Sequence, residues 1–361
     1  MPSTGPNHSA RLTTRRESDM LHGEEGISVT ESEAYKMQQR NFLAEALTKG
    51  RTRQSWNDRL ERWERPASES EEATIGRAAD MVRRVMAGNK WFAAHRVQIA
   101  PQGSYHNNTN VRQEADMDLR AVHPDIFIEY APNVHVPAAY ASLGYYDMGR
   151  TYHDMAAQMR TEIASELAAK FGILSVDSSG GKAIRLKGIT GSRAELDIVP
   201  CFTLHHVVWE PITAQYFTFK GIAILSNSGT WTLNYPDQHH ANGIAKRART
   251  QLRFKKNVRM LKRLRDELVE SEIIKKGEVP SFLVECLVYG VEDISFLVET
   301  DDRYDRLQRI VRRIHEQLND ASWSSAAAEI NGIKPLFGSR QPWTFDGAMR
   351  FTAAAWTRLI V

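Results

Sequence analysis

The apolar positions of this chain pass from helical spacing to strict alternation and then back to helical spacing. Residues 1–33 come first, rich in Ser, Thr, Pro, Gly and charge with no period, and are expected to form a mobile arm. Tyr35 to about Trp63 has amphipathic helical spacing with a break near Gly50. "PASESEEATIGRAADMVRRVM" predicts a better-defined helix. Ser68 and Glu71 have the spacing of a capping box, and Ile75, Ala79, Val82 and Met86 form one apolar stripe.

Alternation begins in "RVQIAPQGS", a short strand ending in a turn, and continues in "ADMDLRAVH". In the second strand Met117, Leu119 and Ala121 face one way, and Asp116, Asp118 and Arg120 the other. A helix is predicted from about Asp154 to Phe171. "ILSVDSSGGKAIRLKGI" then reads as a hairpin turning at Gly180-Gly181. In "RAELDIVPCF", Leu196 and Ile198 point inward while Glu195, Asp197 and Val199 take the opposite face. Helical spacing returns after about Ala241. Val258, Leu261, Leu264 and Leu268 mark one long helix, and "PSFLVECLVYGV" and "DRYDRLQRIVRRIHEQL" mark two more. No internal repeat is visible. The expected class is α+β: a mixed-sheet lobe with N-terminal helices over residues 34–240, packed against a helical lobe over 241–361.

Composition changes this picture little. Of the 361 residues, 42% are hydrophobic and 25% charged, an ordinary globular balance, and the net charge of +3 argues against a nucleic-acid coat. Cys201 and Cys286 are the only cysteines, too few for a disulfide framework or a multi-cysteine zinc site. No apolar run approaches the roughly 20 residues that cross a bilayer, and the N-terminus lacks an apolar signal core. A cytoplasmic protein without membrane attachment is expected.

The candidate chemistry lies in the acids. Asp116 and Asp118 share a strand face, about 7 Å apart. If the strand carrying Asp197 is a neighbour, three carboxylates converge. Such a cluster raises its own pKa values unless cations neutralise it. A pair of Mg²⁺ ions, which prefer carboxylate and phosphate oxygens, would do so and would stabilise both oxygens of a phosphoryl displacement. Upstream, "QGSYHNNTNVR" follows a strand and opens a short helix, so that its backbone N–H groups and the Ser104 hydroxyl make a pocket for a phosphate tail.

This order of Gly103-Ser104, Asp116-x-Asp118 and a distant Asp197 resembles the DNA polymerase β-type nucleotidyltransferase superfamily. More narrowly, "QGSYHNNTNVR", "NYPDQHHANGIAKRARTQLRFKKNVRMLKRLR" and "VPSFLVECLVYGV" resemble the bacterial relatives of cyclic GMP-AMP synthase, the CD-NTases of antiphage signalling, over roughly residues 70–300. The resemblance implies a polymerase β-like lobe against a helical lobe. It makes Asp116, Asp118 and Asp197 ligands of two Mg²⁺ ions, for which Mn²⁺ can substitute. Gln102, Gly103 and Ser104 would hold a triphosphate, Lys262 and Ser281 would contact phosphates, and Phe282 would stack on a base. The implied activity is synthesis of a cyclic di- or trinucleotide from ATP, GTP or UTP with release of pyrophosphate, for a separate effector that senses the product. A linear oligonucleotide synthase or a terminal nucleotidyltransferase acting on RNA is the alternative.

Other features are read more plainly. Residues 246–265 hold ten Lys or Arg and no acid, and read as a solvated helix face apart from Lys262. His205-His206 and His239-His240 are adjacent pairs that point apart, suited to structural roles rather than chelation. "GGKA" at Gly180–Ala183 lacks the spacing of a phosphate-binding P-loop. Two cysteines cannot rebuild the zinc insertion of the animal DNA sensor, so neither zinc nor a direct nucleic-acid activator is expected.

Overall fold

The computed structural model describes residues 52–111, 117–147, 149–297 and 302–360, with isolated residues 40, 44, 49 and 50. The arm expected over residues 1–33, and Asp116, lie outside the described residues.

Helix α1 is described over residues 52–63 and α2 over Glu69–Ala87. Both halves of the expected capping box are present at α2. The Ser68 side chain accepts from the Glu71 backbone N–H, and the Glu71 carboxylate accepts from the Ser68 backbone N–H. Ile75, Ala79, Val82 and Met86 are buried as the stripe required. Helix α3 (Lys90–His95) leads into the sheet.

Among the described residues the sheet has seven strands of mixed direction. Strand β1 (Gln98–Gln102) is antiparallel to β2 (Met117–Tyr130), which is parallel to β5 (Leu196–Glu210). Two strands share the other edge of β5. Strand β4 (Ile184–Leu186) flanks its first residues, and β6 (Gln215–Leu225) flanks the stretch from Phe202 onward. Strands β3 (Val176–Asp177) and β7 (Trp231–Asn234) extend from β4 and β6. The β3–β4 pair is the hairpin expected around Gly180-Gly181. Strand β2 runs past the expected His123 because a register shift between His123 and Ile126 absorbs Pro124, which has no N–H for the ladder. Strand β5 likewise continues through "LHHVVWE", held by its antiparallel ladder with β6 from Phe202 to Glu210.

Between β1 and β2 sits α4 (Gly103–His106), the short helix expected after the turn. Helix α5 (Val136–Ser142) was not marked by any strong pattern. Helix α6 (Tyr152–Phe171) starts two residues earlier than expected, capped by Thr151. Met117, Leu119, Leu196 and Ile198 are buried against α2 and α6, and this packing forms the core of the sheet lobe.

The helical lobe comprises α7 (Pro236–Arg249), α8 (Arg253–Glu270), α9 (Ser281–Gly290), α10 (Arg303–Asn319), α11 (Ala321–Ala326) and α12 (Phe345–Ile360). Val258, Leu261, Leu264 and Leu268 all enter its core. Trp56 and Leu60 of α1 join the same core, although the sequence boundaries group α1 with the sheet lobe. The basic run departs from a solvated face: Lys246, Lys255, Arg259 and Lys262 are buried. Burying a charge is costly unless it is paired, and three of these cations meet buried acceptors. Lys246 reaches the Val291 carbonyl and Asp293, and Arg259 donates to the Glu64 and Asn108 carbonyls. Lys262 is described below.

Candidate active site

The sheet register brings two of the three predicted acids together. Asp118 pairs with Asp197 across the parallel β2–β5 ladder, on adjacent strands about 4.8 Å apart. Met117, Leu119, Leu196 and Ile198 are buried on the opposite face, so both aspartates point to the other side. Each is half-buried and keeps access to solvent. On the antiparallel side Asp118 pairs with Gln102, which places the end of β1 and the Gly103-Ser104 turn beside the carboxylates.

Gly103 is required there for two reasons. Its φ is +77°, a left-handed conformation that L side chains adopt at a cost. A Cβ on Gly103 would also overlap the Asp118 carboxylate, with its Cγ only 2.9 Å away. The turn and the acid therefore fit against each other with no room for a side chain. Ser104 follows in the first turn of α4, and Gln102 gives that helix start no side-chain cap.

The same face draws cations. Arg185, opposite Asp197 in the β4–β5 register, places Nε 3.1 Å from Asp197 Oδ1 and 3.3 Å from Glu195 Oε1. Arg120, two residues beyond Asp118, donates from a buried guanidinium to Asp237 Oδ1 at 2.5 Å. Hard carboxylate oxygens on one rung of adjacent strands, already attracting a guanidinium, suit a divalent cation by the chemistry of their donor set. His106 of α4 stacks on His240 of α7, ring centroids 4.0 Å apart. Burial, with His240 and Arg120 nearby, pushes the His106 pKa down to about 4.

The helical-lobe residues lie differently. Lys262 is fully buried, and its Nζ donates to the Thr109 carbonyl at 3.0 Å and sits 3.4 Å from Glu285 Oε2. Its ammonium is thus directed at the loop that follows α4. The Ser281 hydroxyl, at the start of α9, accepts from Arg265 NH2 at 2.9 Å. The Phe282 ring lies 5.4 Å from His239 and 5.8 Å from Trp343, half-buried against the helical core.

Arg185, Thr109, His239 and Glu285 were missed as site neighbours. Glu285 carried a signal: a lone acid inside the apolar "SFLVECLVYG" is rarely buried without a partner. Arg185 was legible only through the register of a hairpin whose β3 arm has two residues. Thr109 carried none. The histidine pairs take structural places: His239 binds Glu285, His240 contacts Asn107, and His205 meets the Tyr145 hydroxyl.

A mixed sheet with a Gly-Ser turn over paired carboxylates, backed by a helical lobe, defines a polymerase β-type nucleotidyltransferase. Comparison with known proteins narrows the class. Residues 241–360 match the family model for the cGAS/DncV-like nucleotidyltransferase C-terminal helical domain. The chain is 31% identical over 306 residues to the cyclic dipyrimidine nucleotide synthase CdnE of Legionella pneumophila, covering 84% of this chain and 97% of that protein. It is 29% identical to the cyclic dipurine nucleotide synthase of Elizabethkingia meningoseptica, covering 82% and 96%. The solved structure of the Elizabethkingia meningoseptica CdnE cyclic dinucleotide synthase with GTP and Apcpp superposes with a TM-score of 0.66 at 27% identity, covering 84% and 98%. The chain belongs to the cGAS/DncV-like nucleotidyltransferase family, the CD-NTases, and is a nucleotidyltransferase. Among the described residues no helix is long and apolar enough to cross a membrane.

Proposed function

We propose that this enzyme joins nucleoside triphosphates into a cyclic di- or trinucleotide and releases pyrophosphate. The observation that carries the reading is the Asp118–Asp197 rung lying against Gly103, with Ser104 at the start of the next helix. Relatives that cover nearly their whole length with this chain are named as cyclic nucleotide synthases, which supports ring closure over a linear product. Their names differ in base class, dipyrimidine against dipurine, so the shared framework leaves base choice among ATP, GTP and UTP to individual side chains.

In this reading Asp118 and Asp197, with Asp116, hold two Mg²⁺ ions or Mn²⁺ in their place. Bound there, the metals supply Lewis-acid stabilisation of the attacking and leaving oxygens. Gly103 and Ser104 hold the triphosphate tail of one nucleotide, and Ser281 approaches it from the other lobe. Asp197 accepts the proton from a ribose hydroxyl of a second nucleotide. That oxygen bonds to the first α-phosphorus as its bond to the β-phosphate oxygen breaks, and pyrophosphate departs with the electron pair. A second displacement with the roles exchanged closes the ring. The product would serve a separate effector in an antiphage response.

The test is incubation of the purified protein with ATP, GTP, CTP and UTP and Mg²⁺ or Mn²⁺, with mass spectrometry of the products. A phosphatase-resistant cyclic nucleotide that is lost in Asp118→Asn supports the reading. A phosphatase-sensitive linear oligomer, or RNA tailing, assigns the enzyme to the other branch. Undiminished synthesis by Asp118→Asn sinks the carboxylate site itself.

A further inference from the structure

The short loop leaving Ser104 is lined with buried polar side chains, those of Asn107, Thr109 and Asn110. Thr109 ties it in both directions. Its backbone N–H donates to the Ser104 carbonyl at 2.9 Å, and its hydroxyl donates to Glu285 Oε2 at 2.8 Å. The hydroxyl also lies 3.4 Å from the Ser104 carbonyl, but it has one proton, and the shorter, charged acceptor takes it.

Glu285 is 3% exposed and meets a fixed partner at each oxygen. Oε1 is 2.9 Å from His239 Nε2 on α7, and Oε2 faces Lys262 of α8 as well as Thr109. Lys262 in turn accepts no alternative orientation easily, since its Nζ also donates to the Thr109 carbonyl. Burial alone would raise the Glu285 carboxyl, but Lys262, His239 and Thr109 outweigh it and hold the group at about 2. The carboxylate is therefore ionised, and His239 must carry its proton on Nε2.

We infer that Thr109 and Glu285 are positioning residues for nucleotidyl transfer: their buried hydrogen bond holds the Gly103-Ser104 turn against the helical lobe at one spacing from Ser281. The inference rests on the function proposed above. Glu285 lies four residues after Ser281 on α9, so the two share a helix face. The path from Ser104 through Thr109 and Glu285 to Ser281 thus joins the two lobes' contributions to one triphosphate site. Neither Thr109 nor Glu285 is exposed enough to touch substrate; each acts through Ser104.

Other contacts hold the same loop and make a clean probe available. Arg259 donates to the Asn108 carbonyl at 2.6 Å, and His240 meets the Asn107 side chain at 3.0 Å. Thr109→Val keeps these, the Lys262 bond and the backbone bond to Ser104, and deletes only the bond to Glu285. A loop held slightly out of place lowers the rate of a positioned reaction by as much as about 10²-fold.

The experiment measures kcat at saturating nucleotide for the full chain, per molecule able to bind a non-hydrolysable ATP or GTP analogue, at a temperature where circular dichroism shows every variant folded. Thr109→Val should lower this kcat roughly ten- to a hundredfold, and Thr109→Ser, which restores the hydroxyl, should stay within about threefold of wild type. In Glu285→Met, which has no oxygen to accept the Thr109 proton, adding Thr109→Val should cost far less than it does alone, because residues acting through one contact are not additive. A role in folding alone would reduce the binding-competent fraction and leave kcat per competent molecule unchanged. That outcome overturns the inference, as does Thr109→Ser failing like Thr109→Val, or the two substitutions multiplying. A wild-type protein that forms no phosphodiester product from any triphosphate overturns the function itself, and this inference with it.

Discussion

Two carboxylates of this enzyme each meet a cation at similar distance and are put to opposite uses. Asp197 lies 3.1 Å from Arg185 with its side chain 26% exposed, and Arg185 is itself 50% exposed. Glu285 lies 3.4 Å from Lys262 with both side chains almost fully buried. An exposed pair is worth about 0–1 kcal/mol and exchanges partners readily. Arg185 can therefore yield Asp197 to a stronger cation at little cost. A buried pair, once its remaining lone pairs are filled, has no cheap alternative state. In the proposed mechanism the sheet face keeps its charge available for chemistry, and in the inference above the buried cluster uses its charge to fix a loop. Solvent access, more than residue type or pair distance, divides the two.

The largest effects should separate these regions by what they change. Asp118→Asn removes an acid from the solvent-accessible face. The metal site proposed there would supply several kcal/mol of transition-state stabilisation, so product formation should fall on the order of 10³-fold. The thermal midpoint should fall less than in the Glu285 variant below, since Asp118 keeps access to solvent. Glu285→Ala should do the reverse in kind, leaving Lys262 buried without its counter-charge at a cost of about 3–5 kcal/mol. Chemical denaturation measures that loss. If Glu285→Ala unfolds at the wild-type denaturant concentration, the contrast between the regions is wrong.

Gly103→Ala is the next smaller perturbation and tests where the sheet face and the turn meet. A left-handed backbone at an L residue costs on the order of 1–3 kcal/mol, and the new Cβ would also displace the Asp118 carboxylate. Stability should fall by that modest amount while synthesis falls by far more than the loss of folded protein explains. Parallel unfolding and product assays decide between the two.

Much of the candidate site's geometry was legible because a strand's period is two. Alternation alone put Asp118 opposite Met117 and Asp197 opposite Leu196, and the buried halves of those pairs obey it. The Ser68–Glu71 box was legible for the same local reason. The neighbour relation of β2 and β5 was an assumption in the sequence and became a rung only in the fold. The latch was not legible, because its members, Thr109, His239, Lys262 and Glu285, come from four separate segments. The basic run misled for a related reason. Amphipathic spacing cannot distinguish a cation in solvent from one paired inside, and Arg259 pairs with carbonyls at Glu64 and Asn108 that lie far away in sequence.

The smallest expected effect is a pH dependence, and it separates the regions along another axis. The pKa of His106, beside the turn, is lowered from 6.5 to about 4 by burial, by its stack on His240 and by the charges of Arg120 and Lys255, against the pull of Asp237. Between those pH values the unfolded chain binds a proton that the folded enzyme refuses, so stability declines as pH drops through that window. Glu285, lowered from 4.5 to about 2, contributes stability above pH 4.5 that is lost only as pH falls toward 2. Thermal midpoints of the wild type should therefore decline first between pH 6.5 and 4, and His106→Asn should flatten that limb. Some slope should remain, since burial also lowers the pKa values of His123, His205, His206 and His240. The steeper limb below pH 4.5 should survive His106→Asn unchanged, because Glu285 titrates there together with other lowered carboxylates, Glu292, Glu278, Asp293 and Asp302, and the histidine stack does not. If the substitution flattens both limbs, the turn and the latch act as a single electrostatic unit, and the division by solvent access fails at the loop that joins them.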